Sequence, residues 1–194
     1  MIISYPVARI LGVIAEAKAS ELGVPMAMAI VDQEGGLLFF GRMEGTLPAS
    51  TELAISKAYT AAALRLSTQQ VGELAQPGQT MYGIQHTHNG KIVLFGGGLP
   101  LRLTDRVAGA VGISGGTVEE DVRVAEPLVR ALEEMECWAE HLRTIMPEGT
   151  LSLHDKLHLE AQFQTALVRM GCERSSREAL ILTGGILLAV GDVK

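Results

Sequence analysis

Several features that define common classes of protein are scarce in this chain of 194 residues. Its two cysteines, Cys137 and Cys172, are too few for a disulfide framework. Aromatic residues make up 4% of the sequence and the net charge is −6, so the chain lacks the stacking surface and the positive charge that nucleic-acid binding needs. No apolar run approaches the roughly 20 residues of a membrane-spanning helix. The sequence therefore predicts a partner that is neither nucleic acid nor membrane.

Apolar residues are abundant by comparison and account for 47% of the chain. The length suits one domain over residues 1–146 with a helical extension over 147–194. We expect the surplus apolar surface to be buried between subunits, which predicts a homo-oligomer. The amino terminus lacks the charged and apolar regions of an export signal, so we expect a cytoplasmic protein.

Glycine is concentrated around one short apolar segment at 107–113. Gly96-Gly97-Gly98 precede this segment and Gly115-Gly116 follow it. Such density predicts close approach of backbones and a hollow that holds a ligand. Thr117 and Glu120 form a capping box that opens a helix rich in carboxylates, and those carboxylates disfavour a phosphate at this position.

Apolar periodicity and turn residues predict a mixed α+β fold, in which helices pack on a five-stranded antiparallel sheet. Ser4 can cap a first helix that ends at Gly23, and Asn89-Gly90 is typical of a hairpin turn. Further helices are predicted at about 50–66, after Ser67, and from 117 towards 143. The five strands are predicted at 26–31, 37–40, 82–87, 91–95 and 107–113.

Six spaced motifs within about residues 4–136 resemble the GlcG/HbpS-like family, which includes the carboxy-terminal domain of the propanediol-utilisation corrinoid adenosyltransferase. They are VDQEGG at 31–36, RMEG at 42–45, SKA at 56–58, GGLPL at 97–101, GAVGISGG at 109–116 and ED at 120–121. The resemblance implies a profilin-like fold, homo-oligomers and, in several members, haem binding. It also implies a link to cobalamin-dependent propanediol or glycerol metabolism. The cofactor that it favours is haem, with a corrinoid as the alternative.

The resemblance does not extend to an iron ligand. In the propanediol-utilisation relatives a histidine on the first helix is associated with the haem iron, but residues 5–22 contain neither histidine nor cysteine here. His86 and His88 are predicted to project from one side of a strand, where one imidazole can bind iron. The alternative is that both are half-exposed turn residues without a ligand.

Further cofactor contacts are open to two interpretations. Arg42 and Lys57 can each pair with a haem propionate, or one of them can form a structural link with Asp32. Tyr82, with Met81 beside it, can contact a flat macrocycle or fill the core. Within the glycine-rich segment, residues 97 and 98 are predicted to contact the cofactor. The predicted site residues are therefore His86, His88, Arg42, Lys57, Tyr82, Gly97 and Gly98.

No Walker loop, dinucleotide fingerprint or nucleophile elbow occurs, so the sequence identifies no catalytic residue. The favoured function is a tetrapyrrole-binding accessory protein of propanediol, glycerol or glycolate-type metabolism. One alternative is a haem-degrading or corrinoid-modifying enzyme, and another is a non-catalytic assembly protein. The apolar stripes predicted for the extension at 147–194 can dock on another subunit or on microcompartment proteins, which makes a bacterial microcompartment the alternative location.

Overall fold

The computed structural model describes residues 2–104 and 106–145, with side chains to residue 137. The predicted extension at 147–194 lies outside the described residues. Within these described ranges, four helices and four strands follow one another in the order α1 (Tyr5–Leu22), β1 (Ala27–Asp32), β2 (Leu37–Arg42), α2 (Ala49–Leu64), α3 (Thr68–Leu74), β3 (Gly98–Leu103), β4 (Arg106–Ser114) and α4 (Val118–Ile145). Two short 3₁₀ turns, Ile84–His86 and His88–Gly90, lie between α3 and β3.

The sheet is antiparallel throughout and has the strand order β2-β1-β4-β3. Helices cover both of its faces. On one face α1 and α4 pack against Met28, Ile30 and Val111. On the other face α2 places a row of alanines against Ala29 and Ala110. The central strands β1 and β4 are therefore buried on both sides, and the mixed α+β class predicted from the sequence is confirmed.

The sheet has four strands within the described ranges, and the prediction of five is wrong. The predicted hairpin at 82–95 does not form, although Asn89 and Gly90 adopt the left-handed conformations (φ 56° and 76°) that a tight turn requires. The chain after this turn bonds to α2 instead of to a strand, because the backbone N–H of Val93 donates to Oγ1 of Thr60 at 3.0 Å. The strand Gly98–Leu103 was not predicted.

Glycine at position 112 sets the distance between helix and sheet. A Cβ atom there would lie 2.0 Å from the carbonyl oxygen of Ala54 and 2.5 Å from the backbone nitrogen of Ala58. The predicted close approach of backbones is thus confirmed, but the protein's own helix α2 occupies the space. No hollow is therefore left at Gly112, within the predicted strand.

Most local signals at the helix ends agree with the structure, but Ser4, although it precedes α1, makes no side-chain capping hydrogen bond. Gly23 ends α1 in the left-handed conformation, and Ser67 and Gln70 form a reciprocal capping box at α3. Thr117 and Glu120 do the same at α4, with bonds of 2.8 and 3.3 Å. Within the part of the chain that the structure describes, no helix combines the length and apolar character needed to cross a membrane.

Candidate functional site

Several of the separate sequence motifs meet around the side chain of Lys57. Its Nζ donates hydrogen bonds to Oδ2 of Asp121 at 2.6 Å and to the carbonyl oxygen of Ile113 at 2.9 Å. The two charged side chains are only 0% and 4% exposed. Gly97 passes so close that a Cβ atom there would lie 2.7 Å from Nζ. The motifs SKA, GGLPL, GAVGISGG and ED therefore form one centre in space.

Each partner of the ion pair is placed by a different helix. Lys57 lies on the buried face of α2, where Ala54, Ala58 and Ala61 share its environment. Asp121 lies in the first turn of α4, and its Oδ1 accepts the backbone N–H of Gly116 at 3.1 Å. A carboxylate is favoured at this position because it faces the positive end of the helix dipole.

Burial acts in opposite directions on the two groups. Desolvation lowers the pKa of Lys57 below its ordinary value of 10.5, against the opposing hydrogen bond and charge of Asp121. Desolvation also raises the pKa of Asp121 above its ordinary value of 3.8, against the opposing hydrogen bond and charge of Lys57. The two pKa values move towards each other, so transfer of a proton from amine to carboxylate costs less free energy than in water.

An open groove of about 610 Å³ lies beside this pair, between α3, the segment before β3 and the start of α4. This volume is within the range of small-molecule sites. Phe95 lines the groove and also covers the amine, because its ring centroid is 4.9 Å from Nζ of Lys57. The remaining lining is apolar at Gly72, Leu94, Gly96, Val118 and Val122, and polar at Gln69, Glu73, Gln76 and Glu119.

Gly97 and Gly98 lie behind this groove and are buried. A Cβ atom at Gly98 would lie 2.5 Å from Cγ2 of Thr68 and 2.6 Å from the carbonyl oxygen of Lys57. Gly96 is the glycine of this run that lines the groove. A direct contact of Gly97 or Gly98 with a cofactor stays a prediction.

The structural links expected for Asp32 are wrong. Its Oδ1 accepts the backbone N–H groups of Glu34 and Gly36 at 2.9 and 2.8 Å, so this carboxylate holds the β1–β2 turn. Arg42 donates from Nη2 to the carbonyl oxygen of Thr46 at 2.7 Å and is exposed. Arg42 is therefore the one of the two predicted cations, Arg42 and Lys57, that is accessible to a ligand.

His86 and His88 do not alternate along a strand. Each belongs to a separate 3₁₀ turn, and both side chains are exposed. His88 approaches Tyr59 of α2, with ring centroids 6.2 Å apart, and Nζ of Lys91 lies 5.5 Å from the centroid of the same tyrosine ring. The structure thus assembles a histidine, a tyrosine and a lysine on one exposed surface, which we call the His88 surface.

The other predicted contacts of the macrocycle lie in the same loop. Tyr82 is 66% exposed and Met81 is half-buried, so the tyrosine does not fill the core. In the described ranges no three side chains of histidine, cysteine, aspartate or glutamate are grouped so as to hold a metal ion. A haem iron, whose macrocycle supplies four ligands itself, needs only one such side chain.

Sequence reasoning missed both Phe95 and the partner of Lys57. A usable signal was present for the second, because apolar residues at 54 and 61 stand three before and four after Lys57, on the same face of a helix. A lysine on such a face needs a buried carboxylate. The sequence does not indicate which carboxylate, since Asp121 lies 64 positions away.

Known proteins similar in sequence to this chain include two from Citrobacter freundii. The uncharacterized 15.0-kDa protein of the dhaT–dhaS intergenic region of Citrobacter freundii is 44% identical over 120 residues, which is 62% of this chain and 84% of that protein. The corrinoid adenosyltransferase PduO of Citrobacter freundii is 41% identical over 115 residues. That match takes in 59% of this chain but only 34% of the adenosyltransferase.

Several solved structures share this fold. Protein ORFY of Klebsiella pneumoniae matches with a TM-score of 0.65 and 36% identity, over 66% of this chain and 89% of that one. The PduOC:heme complex matches with a TM-score of 0.65 and 37% identity, over 68% of this chain and 95% of that one. HbpS shares the fold at 21% identity, with a TM-score of 0.61 over 68% of this chain and 90% of HbpS.

The family model described as "Haem degrading protein HbpS-like" matches residues 3–130. This span contains all four strands, the buried pair and the groove. The chain therefore belongs to the HbpS-like family.

Proposed function

We propose that this protein binds a tetrapyrrole, haem in the first place and a corrinoid in the second, as an accessory protein of cofactor handling. The observation that carries the proposal is the 37% identity to PduOC, which was solved with heme, over 95% of that chain. The corrinoid alternative is supported by the match to PduO, of which this chain spans 34%. Propanediol, glycerol or glycolate-type metabolism is the proposed setting.

The His88 surface is the proposed place for haem. Its imidazole is exposed and can bind iron when neutral. Lys91 is exposed beside it and carries the positive charge that attracts a propionate. Tyr59 supplies an aromatic ring next to both side chains. These residues fit the group, and the iron supplies its redox and ligand-binding chemistry when haem is bound.

The groove beside Phe95 fits haem less well. Its volume suffices for a macrocycle, but its lining contains no histidine, cysteine, methionine or tyrosine. Glu73 and Glu119 at its rim repel propionates. A tetrapyrrole in this groove would be held by apolar contact and stacking alone, so the His88 surface is favoured.

Titration with haemin, followed by the Soret absorbance, tests this proposal. We expect His88→Ala to weaken binding at least about tenfold, since loss of even a secondary partner of a metal ligand has that effect. His86→Ala serves as the matched control in the neighbouring turn, and Val122→Glu tests the groove. If haem binding is saturable and only Val122→Glu abolishes it, the haem site is the groove and not the His88 surface. The absence of any Soret shift with the wild-type protein would overturn the proposal that it binds haem. The same titration with cobalamin tests the corrinoid alternative.

We also propose that the protein forms a homo-oligomer in the cytoplasm and that microcompartment proteins are further partners. Large apolar side chains that remain exposed support the first part, notably Leu37 at 50% and Leu47 at 64%. Light scattering of the full chain and of the Leu37→Glu variant tests it. We expect a multiple of the 20.7-kDa chain mass for the wild type and a smaller assembly for the variant. A monomeric wild-type protein overturns this part.

A further inference from the structure

We propose that Lys57 forms an imine with an uncharged aldehyde or ketone that enters the groove beside Phe95, with Asp121 as the group that accepts and returns the proton. This inference does not depend on tetrapyrrole binding. It rests on the position of a buried amine directly behind an open groove.

Phe95 is the side chain that separates the amine from the groove. Two N–H bonds of Lys57 donate to Asp121 and Ile113, and the ring of Phe95 lies 4.9 Å from the nitrogen. The same ring is 42% exposed at the groove. The ring is not a member of either hydrophobic core cluster, so the proposal requires only that this one partly exposed side chain rotates away from the nitrogen.

The lining of the groove defines the class of ligand. Val118, Val122 and Leu94 offer apolar contacts to a hydrocarbon tail. Glu73 and Glu119 repel a carboxylate or phosphate group. The site therefore selects neutral carbonyl compounds with a short apolar tail over anionic oxoacids.

The reaction requires only the carbonyl compound and the side chains of Lys57 and Asp121. The Lys57 ammonium passes one proton to the Asp121 carboxylate, and the free electron pair on nitrogen attacks the carbonyl carbon. A second proton moves from nitrogen to the carbonyl oxygen, which gives a carbinolamine. Asp121 then returns its proton to that hydroxyl group, water leaves, and the nitrogen lone pair forms the C=N bond of an iminium ion. The 2.6 Å bond between the two groups is the path of the first transfer.

Burial supports the first step, because it lowers the pKa of Lys57 and raises the pKa of Asp121. A buried lysine with a lowered pKa has a larger fraction of neutral amine, which is the nucleophile. A surface lysine lacks this advantage.

Reductive trapping of the wild-type chain tests the proposal. The protein is treated with butanal or acetaldehyde in the presence of cyanoborohydride, and the alkylated lysines are identified by peptide mass spectrometry. We expect labelling at Lys57, about tenfold faster with butanal than with acetaldehyde, because two further methylene groups are buried in the groove. The exposed Lys91 is the internal control, and we expect it to show no preference between the two aldehydes.

Two further experiments test the role of Phe95 as a cover of the amine and the exclusion of anionic aldehydes. Phe95→Ala should increase the rate at Lys57 and leave the rate at Lys91 unchanged, since it removes the cover of the amine. Succinic semialdehyde, which carries a carboxylate, should label Lys91 but not Lys57. If Lys57 stays unlabelled in both wild type and Phe95→Ala while Lys91 reacts, or if Lys57 reacts without preference for butanal, the proposal is wrong.

Discussion

The ammonium group of Lys57 and the carboxylate of Asp121, 2.6 Å apart, join helices that pack on opposite faces of the sheet. Lys57 comes from α2 and Asp121 from α4, and they meet beside the carbonyl oxygen of Ile113 near the end of β4. The pair thus fixes the relative position of the two layers. It also places a charge behind the groove without exposing it to water.

Removal of one partner should destabilise the protein strongly. In Asp121→Asn the Lys57 ammonium loses its counter-charge, and we expect the free energy of unfolding to fall by about 3–5 kcal/mol. The double variant Lys57→Met/Asp121→Leu should lose less than Asp121→Asn alone, because it leaves no buried charge without a partner. Urea unfolding of the variants measures both effects. A double variant that loses as much stability as Asp121→Asn, or more, would show that the buried charge is not the cause of the loss.

The stability of the pair should depend on pH with two opposite slopes. Because burial raises the pKa of Asp121 above 3.8, the folded state holds this proton longer, and its contribution to stability falls as the pH rises above 3.8. Because burial lowers the pKa of Lys57 below 10.5, the unfolded state holds that proton longer, and stability rises as the pH approaches 10.5. We expect the difference between wild type and the double variant to show both slopes in urea unfolding. Parallel pH profiles would contradict the two shifts.

Close packing of α2 on the sheet predicts a large effect of one methyl group. Gly112→Ala places a Cβ atom within 2.0 Å of the Ala54 carbonyl oxygen, so the helix must move away from the sheet. We expect a loss of at least about 3 kcal/mol or failure to fold. Gly78→Ala is the control, because its φ of 85° adds strain of about 1–2 kcal/mol but no atom lies within 4 Å. Equal thermal stabilities of the two variants would contradict this account.

Asp32 should stabilise the β1–β2 turn and not an ion pair. Asp32→Ala removes the acceptor of two backbone N–H groups, and we expect a loss of about 1–2 kcal/mol. Asp32→Asn keeps the accepting oxygen and should lose less. Arg42→Ala, which leaves Asp32 untouched, should lie within about 0.5 kcal/mol of wild type. An equal loss for Arg42→Ala and Asp32→Ala in chemical unfolding would favour a link between the two.

The hydroxyl group of Thr60 should hold the segment that replaces the predicted hairpin. Thr60→Val leaves the buried N–H of Val93 without its acceptor, so we expect a loss of about 1–3 kcal/mol. Thr87→Val, in the exposed turn, is the matched control and should have a smaller effect. Hydrogen exchange at the Val93 amide reports on the same bond. Unchanged protection in Thr60→Val would show that another group holds the segment.

Elements with local signals were predictable from the sequence. The last turn of α1 and the first turns of α3 and α4 depend on capping residues within four positions, and the apolar run at 107–113 suffices to identify β4. The segment at 82–95 was assigned wrongly because its course depends on Thr60, a residue far away in the sequence. Strand β3 was missed because Gly98 and Pro100 are both unfavourable in strands.

The candidate site was predictable only in part. Lys57 and the glycines around it were identified from motifs, but the sequence carries no sign that Lys57 and Asp121 meet. Phe95 was missed because one exposed aromatic residue in a loop has no periodic neighbours. The two histidines were expected on a strand, and their actual exposure follows from the turn around Asn89.

Strand β3 forms one edge of the sheet, and Pro100 lies opposite Ala110 within it. Proline has no backbone N–H, so this edge offers an interrupted row of donors to any incoming strand. The other edge, β2, contains no proline. Addition of a further strand by backbone pairing is therefore disfavoured along β3.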